Sequence, residues 1–252
     1  MTTDAFDGRV ALVTGAGRGI GRAIALGLAS DGAAVALVSR TEAELNAVAA
    51  EVRAQGGTAL AVAADVGDTD QIRELVSRVT TELGPVEILI NNAAVVWPLG
   101  PSATIDPADW EQAARINVIG PVTLSLAVLP PMIERGWGRI ANVSSGVAAN
   151  PAAMIGANAY TATKTALEAH TLNLSGELAG TGVTVNVFRP GTVDTAMQGW
   201  IRKQDPERIG TALHERFITM QQSGTLITPE RSASVLLEHI RGRANGEIWD
   251  VS

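Results

Sequence analysis

The chain of 252 residues has no cysteine. That excludes a disulfide framework and a thiolate metal site, and a reducing, cytoplasmic home is the natural expectation. Basic residues are outnumbered: 19 Lys and Arg face 26 Asp and Glu, a net charge of −7. Nucleic acids and anionic membranes select for basic surfaces, so neither is an expected partner. No unbroken apolar run approaches the roughly 18 residues of a membrane span. Histidine occurs only at His170, His214 and His239, without metal-ligand spacing, and no metal site is expected. His170 falls off the face of its helix that matters below, whereas His214 is a modest candidate for substrate contact. Residues 1–8 are short, acidic and polar, unlike a signal peptide. Repeats, low-complexity tracts and linkers are missing too. With 46% apolar and 18% charged residues, the chain reads as one globular domain over 1–252.

Aromatics make up only 4%, and tyrosine occurs once, at Tyr160. Lys164 follows four positions later in a stretch, 158–167, that reads as helix, so phenol and ammonium share a face. A neighbouring positive charge favours phenolate and moves a tyrosine down from its usual value of about 10. The pair is a candidate general acid/base. Taken alone, Tyr-x-x-x-Lys is equally a buried tyrosine beside a surface lysine.

The rest of the chain alternates strand and helix. Residues 10–14 are a β-branched strand, followed by Gly15-Ala16-Gly17-Arg18-Gly19-Ile20-Gly21 and a helical stretch to about 30. Glycines there admit the close approach of a ligand, and a helix N-terminus offers N–H groups to a pyrophosphate. The spacing is Gly-x-x-x-Gly-x-Gly, not the commoner Gly-x-Gly-x-x-Gly. Strands at 33–38, 58–64, 86–90, 139–143, 183–188 and 247–251 follow. Helices at 42–55, 69–83, 107–134 and 159–179 lie between them, with another from Thr228-Pro229. This is an α/β pattern: a doubly wound Rossmann-type parallel sheet of about seven strands, its ligand at the strand C-terminal edge. Ser39-Arg40 stands where many dinucleotide sites carry a ribose-binding acid. A guanidinium binds a 2′-phosphate that a carboxylate would repel, so NADP(H) is preferred, with NAD(H) as the second option. Asn117 falls inside a long helix that Asp106-Pro107 opens. The amphipathic stretch 199–222 sits within a lid-like region over about 192–225.

Thr14-Gly-x-x-x-Gly-x-Gly21, Asn91-Asn-Ala-Ala94, Asn117, Ser144-Ser145, Tyr160-x-x-x-Lys164 and Pro190-Gly191 occur in one order along nearly the whole chain. In this it resembles the short-chain dehydrogenase/reductase family in its single-domain form. The resemblance implies that Tyr160 is the proton donor and acceptor. Lys164 lowers its pKa and holds the nicotinamide ribose, Ser145 bonds the substrate carbonyl, and Asn117 anchors a water linking Lys164 to solvent. It also implies a cofactor held by Gly15, Gly17, Arg18, Gly19, Ile20 and Gly21 at the pyrophosphate and by Ser39 and Arg40 at the ribose. Asp65, Val66, Asn91 and Ala93 would serve the adenosine side, and Pro190, Gly191, Val193 and Thr195 the nicotinamide. Two departures stand out. Ala94 replaces the usual glycine, which a negative φ tolerates. The Ser145–Tyr160 interval is also longer than the family's, which reshapes the substrate wall. Trp97, Met154, Ile155, Met197 and Trp200 suggest an apolar mouth for a small carbonyl or alcohol substrate. The helices over 107–134 and 159–179 imply a homotetramer or homodimer. The rival readings are a catalytically silent NAD(P)-binding regulator or scaffold, and a lyase or epimerase that keeps its nicotinamide bound.

Overall fold

A computed structural model describes residues 5–251. Among them are seven strands: β1 Val10–Thr14, β2 Ala34–Ser39, β3 Ala59–Ala63, β4 Ile88–Asn91, β5 Gly138–Val143, β6 Val183–Arg189 and β7 Ile248–Asp250. They form a single parallel sheet in the order β3-β2-β1-β4-β5-β6-β7. The order reverses between β1 and β4, and a crevice opens at such a switch point.

Side chains alternate across the sheet with a period of two, so each strand feeds both faces. Ala11 and Val13 of β1 join one core with Val35 and Leu37 of β2. That core is closed by Ile24 and Leu28 of α1 (Gly19–Ser30), Leu45 and Val48 of α2 (Glu42–Ala54), and Leu236 and Ile240 near the chain end. Val10 and Leu12 join the opposite core with Ala36 and Val38. There the cover comes from Ile72, Leu75 and Val79 of α3 (Thr69–Glu82), among others. Each fully buried Val, Leu or Ile contributes roughly 1.5–3 kcal/mol, which makes these strands obligate interior elements.

The predicted helix over 107–134 is continuous but uneven. It runs as α4 (Pro107–Ala114), a π turn (Arg115–Ile119) and α5 (Gly120–Arg135). Asp106 caps it by accepting from the Ala108 N–H at 2.9 Å. The 29-residue stretch Pro107–Arg135 reaches a mean hydropathy of 1.7 over 18 residues, long and apolar enough to cross a membrane. Half of that window is buried in the fold, where Leu124, Val128 and Met132 pack on the sheet. Asn117, Gly120, Thr123 and Ser125 interrupt it, which is why no unbroken run shows in the sequence.

Residue Tyr160 lies on α6 (Asn158–Glu177). The amphipathic stretch at 199–222 is three helices rather than one: α7 (Ala196–Arg202), α8 (Pro206–Ile209) and α9 (Thr211–Gln222). Asp205 and Pro206 restart the chain as cap and first helical residue, and Gly210 breaks it again. The last helix, α10 (Pro229–Ile240), begins at Thr228, whose hydroxyl accepts from the Arg231 N–H at 3.1 Å.

Candidate active site

The C-terminal ends of β1 through β6 open onto one cleft of about 560 Å³ above the switch point. Its first wall is the turn after β1. Gly15 and Gly19 hold φ of 65° and 56°, the left-handed region that a side chain disfavours. Arg18 is the N-cap of α1, provides no side-chain cap, and no acid occupies the first turn. The leading N–H groups therefore keep their capacity for an external anion, and the positive helix end faces the cleft. Gly17, Arg18 and Ile20 line the same wall. Gly21 does not; it sits behind the turn, where a Cβ would lie 2.2 Å from the Gly15 carbonyl oxygen. Its lack of a side chain permits the close packing of α1 on the turn after β1.

Ser39 and Arg40 line the next wall beyond β2, Arg40 being exposed. Glu44 of α2 joins them and pairs with Arg18 at 3.4 Å. Two guanidiniums thus face one carboxylate at this end. Asp65 and Val66 follow β3, and the Asp65 carboxylate accepts from the Gly67 N–H at 2.8 Å.

Beyond β4 the expected order shifts by one residue. Asn91 is 2% exposed and its amide donates to Asn142 Oδ1 at 2.8 Å, beneath the cleft. A strand's alternation sends this side chain into the core. Asn92, Ala93 and Ala94 form the wall instead. The Thr14 hydroxyl locks this corner by accepting from the N–H groups of Asn92 and Ala93, each at 3.0 Å. Ala94 has no positive φ, as its replacement of glycine requires.

At the far end, Tyr160 and Lys164 stand one turn apart on α6, 9% and 2% exposed. The Lys164 ammonium donates to the Val143 carbonyl at 2.6 Å and lies 5.9 Å from the centre of the phenol ring. Burial pushes the lysine down to about 8, while Glu168 acts to raise it. Burial likewise pushes the Tyr160 phenol up, and only contact with the Ser145 hydroxyl pulls it down. The lowered tyrosine expected from the sequence is therefore not what this state of the protein has. A buried phenolate lacks solvation, and that outweighs a lysine whose own charge is weakened by the same burial. The two serines divide their work. Ser144 donates to Glu168 at 2.6 Å, leaving Ser145 beside the phenol.

Asn117, 0% exposed, does not reach the cleft. Its oxygen accepts from the Val95 N–H at 2.9 Å, and its amide donates to the Val95 carbonyl at 2.8 Å and to Thr163 at 3.1 Å. The side chain spends its donors on tying the loop after β4 to α6. The remaining wall is apolar: Trp97, Val147, Met154, Met197, Trp200 and Phe217. Val147 and Met154 come from the lengthened Ser145–Tyr160 interval, folded as two short 3-10 turns, Gly146–Ala148 and Pro151–Met154. Pro190, Gly191, Val193 and Thr195 close the floor, whereas His214 turns away to the Arg202 carbonyl at 3.0 Å. Ile155 stays outside, 75% exposed. Among the described residues, no group of three or more His, Asp or Glu side chains could hold a metal. Glu44, Gln198 and Arg216 also line the cleft and escaped sequence reading, and Asn92 stood within the Asn91-Asn-Ala-Ala94 motif without an assigned role. Of the three that escaped, Glu44 carried a signal, one turn beyond Arg40 at the start of a helix.

Comparison with known proteins gives a consistent result. The family model described as short chain dehydrogenase matches residues 9–206. A short chain dehydrogenase of Pseudocercospora fijiensis is 40% identical over 76% of this chain, the match spanning 62% of that relative's length. The 2,3-dihydro-2,3-dihydroxybenzoate dehydrogenase of Bacillus subtilis is 33% identical over 97% of this chain and 93% of its own. Among solved structures, an actinorhodin polyketide ketoreductase with NADPH superposes with a TM-score of 0.86 at 31% identity, covering 96% of this chain and 95% of that one.

Proposed function

The chain belongs to the short chain dehydrogenase family of NAD(P)-dependent oxidoreductases, and we propose on that premise that it interconverts a carbonyl and a secondary alcohol using NADP(H), with Tyr160 as acid and base. One observation carries the reading. A single cleft joins a helix N-terminus left free for an anion to a half-buried Ser145 and a buried Tyr160 and Lys164 at its other end. A dinucleotide fits this cleft: the glycine turn clears the approach, and the N–H groups of α1 offer donors to a pyrophosphate.

When bound, the nicotinamide would supply or accept the hydride. The chain's part is the proton. Negative charge builds on the substrate oxygen during reduction, and the Ser145 hydroxyl and Tyr160 phenol are set side by side to stabilise it. A raised phenol pKa keeps Tyr160 protonated and ready to donate. In the alcohol direction Lys164 favours the tyrosinate. The filled Ser145, Tyr160 and Lys164 positions weigh against a silent binding protein.

Arg40 and Arg18 beside the ribose end support a preference for NADP(H), with Glu44 partly offsetting them. Three of the chain's five methionines and two of its five tryptophans line the cleft, which supports an apolar substrate. Helices α7 to α9 act as the lid over it. Ile119, Leu126, Ile133 and Leu172 are exposed on the long π–α5 helix and α6, which supports assembly through these helices into a homodimer or homotetramer.

The test is turnover of a carbonyl and alcohol panel with NADPH and NADH side by side. Tyr160→Phe should lower kcat by at least about a hundredfold while leaving cofactor affinity within about threefold. Near-normal turnover in that variant would overturn the assignment.

A further inference from the structure

One turn beyond Lys164 on the same face of α6 stands Glu168, 7% exposed. Its carboxylate accepts from the Ser144 hydroxyl at 2.6 Å and takes both Nε and Nη2 of Arg189 at 2.8 and 2.7 Å. Arg189 ends β6 and also donates to Asp250, the last residue of β7, at 3.2 Å. Ser144 precedes Ser145, and Arg189 precedes Pro190 and Gly191, all part of the cleft. We propose that Glu168 is a positioning residue that clasps the ends of β5 and β6 to α6 and keeps the Lys164 ammonium charged. This rests on Tyr160 and Lys164 being the reacting pair.

Geometry favours this role over simple packing. Taking a carboxylate and a guanidinium out of water carries a penalty that apolar residues of the same size avoid, so a buried pair is poor value as filler. The charged groups around Glu168 are Lys164 one turn back on its own helix, Arg189 from β6, and Asp250 behind that arginine from β7; the neutral Ser144 hydroxyl, just past β5, completes the shell. Arg189 has a second carboxylate in Asp250, whereas Glu168 is the group that acts to raise the buried lysine. Burial alone would leave that lysine largely neutral near pH 8, and a neutral amine cannot favour tyrosinate.

The chain has only two lysines, Lys164 and Lys203, and Lys203 is exposed. Carbon NMR of the full chain labelled at lysine Cε therefore gives two resonances, and Lys164 can be titrated without substrate or cofactor. In Glu168→Gln its pKa should fall by about one unit, and the alkaline limb of kcat should move down by the same amount with KM little changed. Replacing both partners, Glu168→Met with Arg189→Met, should restore the thermal stability that Glu168→Gln loses, because no lone charge stays buried. The lysine should remain depressed all the same. An unmoved Lys164 titration in either variant overturns the proposal, as does a double variant that recovers the wild-type alkaline limb along with its stability. Should one variant fail to fold, the other still reads the lysine. A wild type with no turnover on any substrate would defeat the enzymatic reading, while the titration still decides the role of Glu168.

Discussion

Lys164 has a pKa of about 8 in the fold, against about 10.5 for an unburied lysine, because burial strips its ammonium of water. Below pH 8 folded and unfolded chains both hold the proton, and the fold bears the full penalty of the buried charge, about 3 kcal/mol for a shift of this size. Between pH 8 and 10.5 the unfolded chain binds more protons than the folded one, so stability rises with pH. Lys164→Met removes the titration. The variant should be more stable than wild type at pH 7 by about 1–3 kcal/mol, an advantage that fades toward pH 10.5. Tyr160, raised by burial, loses its contribution above pH 10 in both proteins, so the difference isolates the lysine. Denaturant melts at pH 7, 8.5 and 10 measure this. A methionine variant no more stable at pH 7 would mean that Glu168 and the Val143 carbonyl compensate the charge fully.

The element that matters most is α1 with the glycine turn before it. Its N-terminus serves the cleft because its first donors are uncapped, and its inner face serves the core through Ile24 and Leu28. Gly21 joins the two functions, since any Cβ there would stand 2.2 Å from the Gly15 carbonyl. Backbone cannot yield as a flexible side chain can, so Gly21→Ala should push α1 off β1. Thermal unfolding should show a loss of at least about 2 kcal/mol, and cofactor titration should show binding weakened at least tenfold. An alanine variant with both properties intact would mean that the turn relaxes at little cost.

The molecule as a whole presents apolar side chains that its own cores leave uncovered. Leu126 is 59% exposed, with Ile119 and Ile133 each seven positions away along the same helix and Leu172 on α6 at 40%. Seven residues are nearly two full helical turns, so these three share one stripe. The proposed assembly through these helices predicts that Leu126→Glu buries a charge in the contact. Light scattering should then report a smaller assembly than wild type, with the circular dichroism spectrum unchanged. An unchanged mass would place the contact elsewhere.

Local chemistry alone determined a large part of this protein. The strand and helix order, the parallel sheet, the turn at Gly15 to Gly21, and the pairing of Tyr160 with Lys164 all follow from periodicity and spacing within about ten residues. Long-range packing decided the rest. Strand alternation sent Asn91 inward and left Asn92 at the wall. Burial reversed the expected direction of the Tyr160 shift, since desolvation depends on everything that surrounds a group and not on its nearest charge. The union of Glu168 with Ser144 and Arg189, and through Arg189 with Asp250, joins residues 24, 21 and 82 positions from it, which only the assembled sheet brings together.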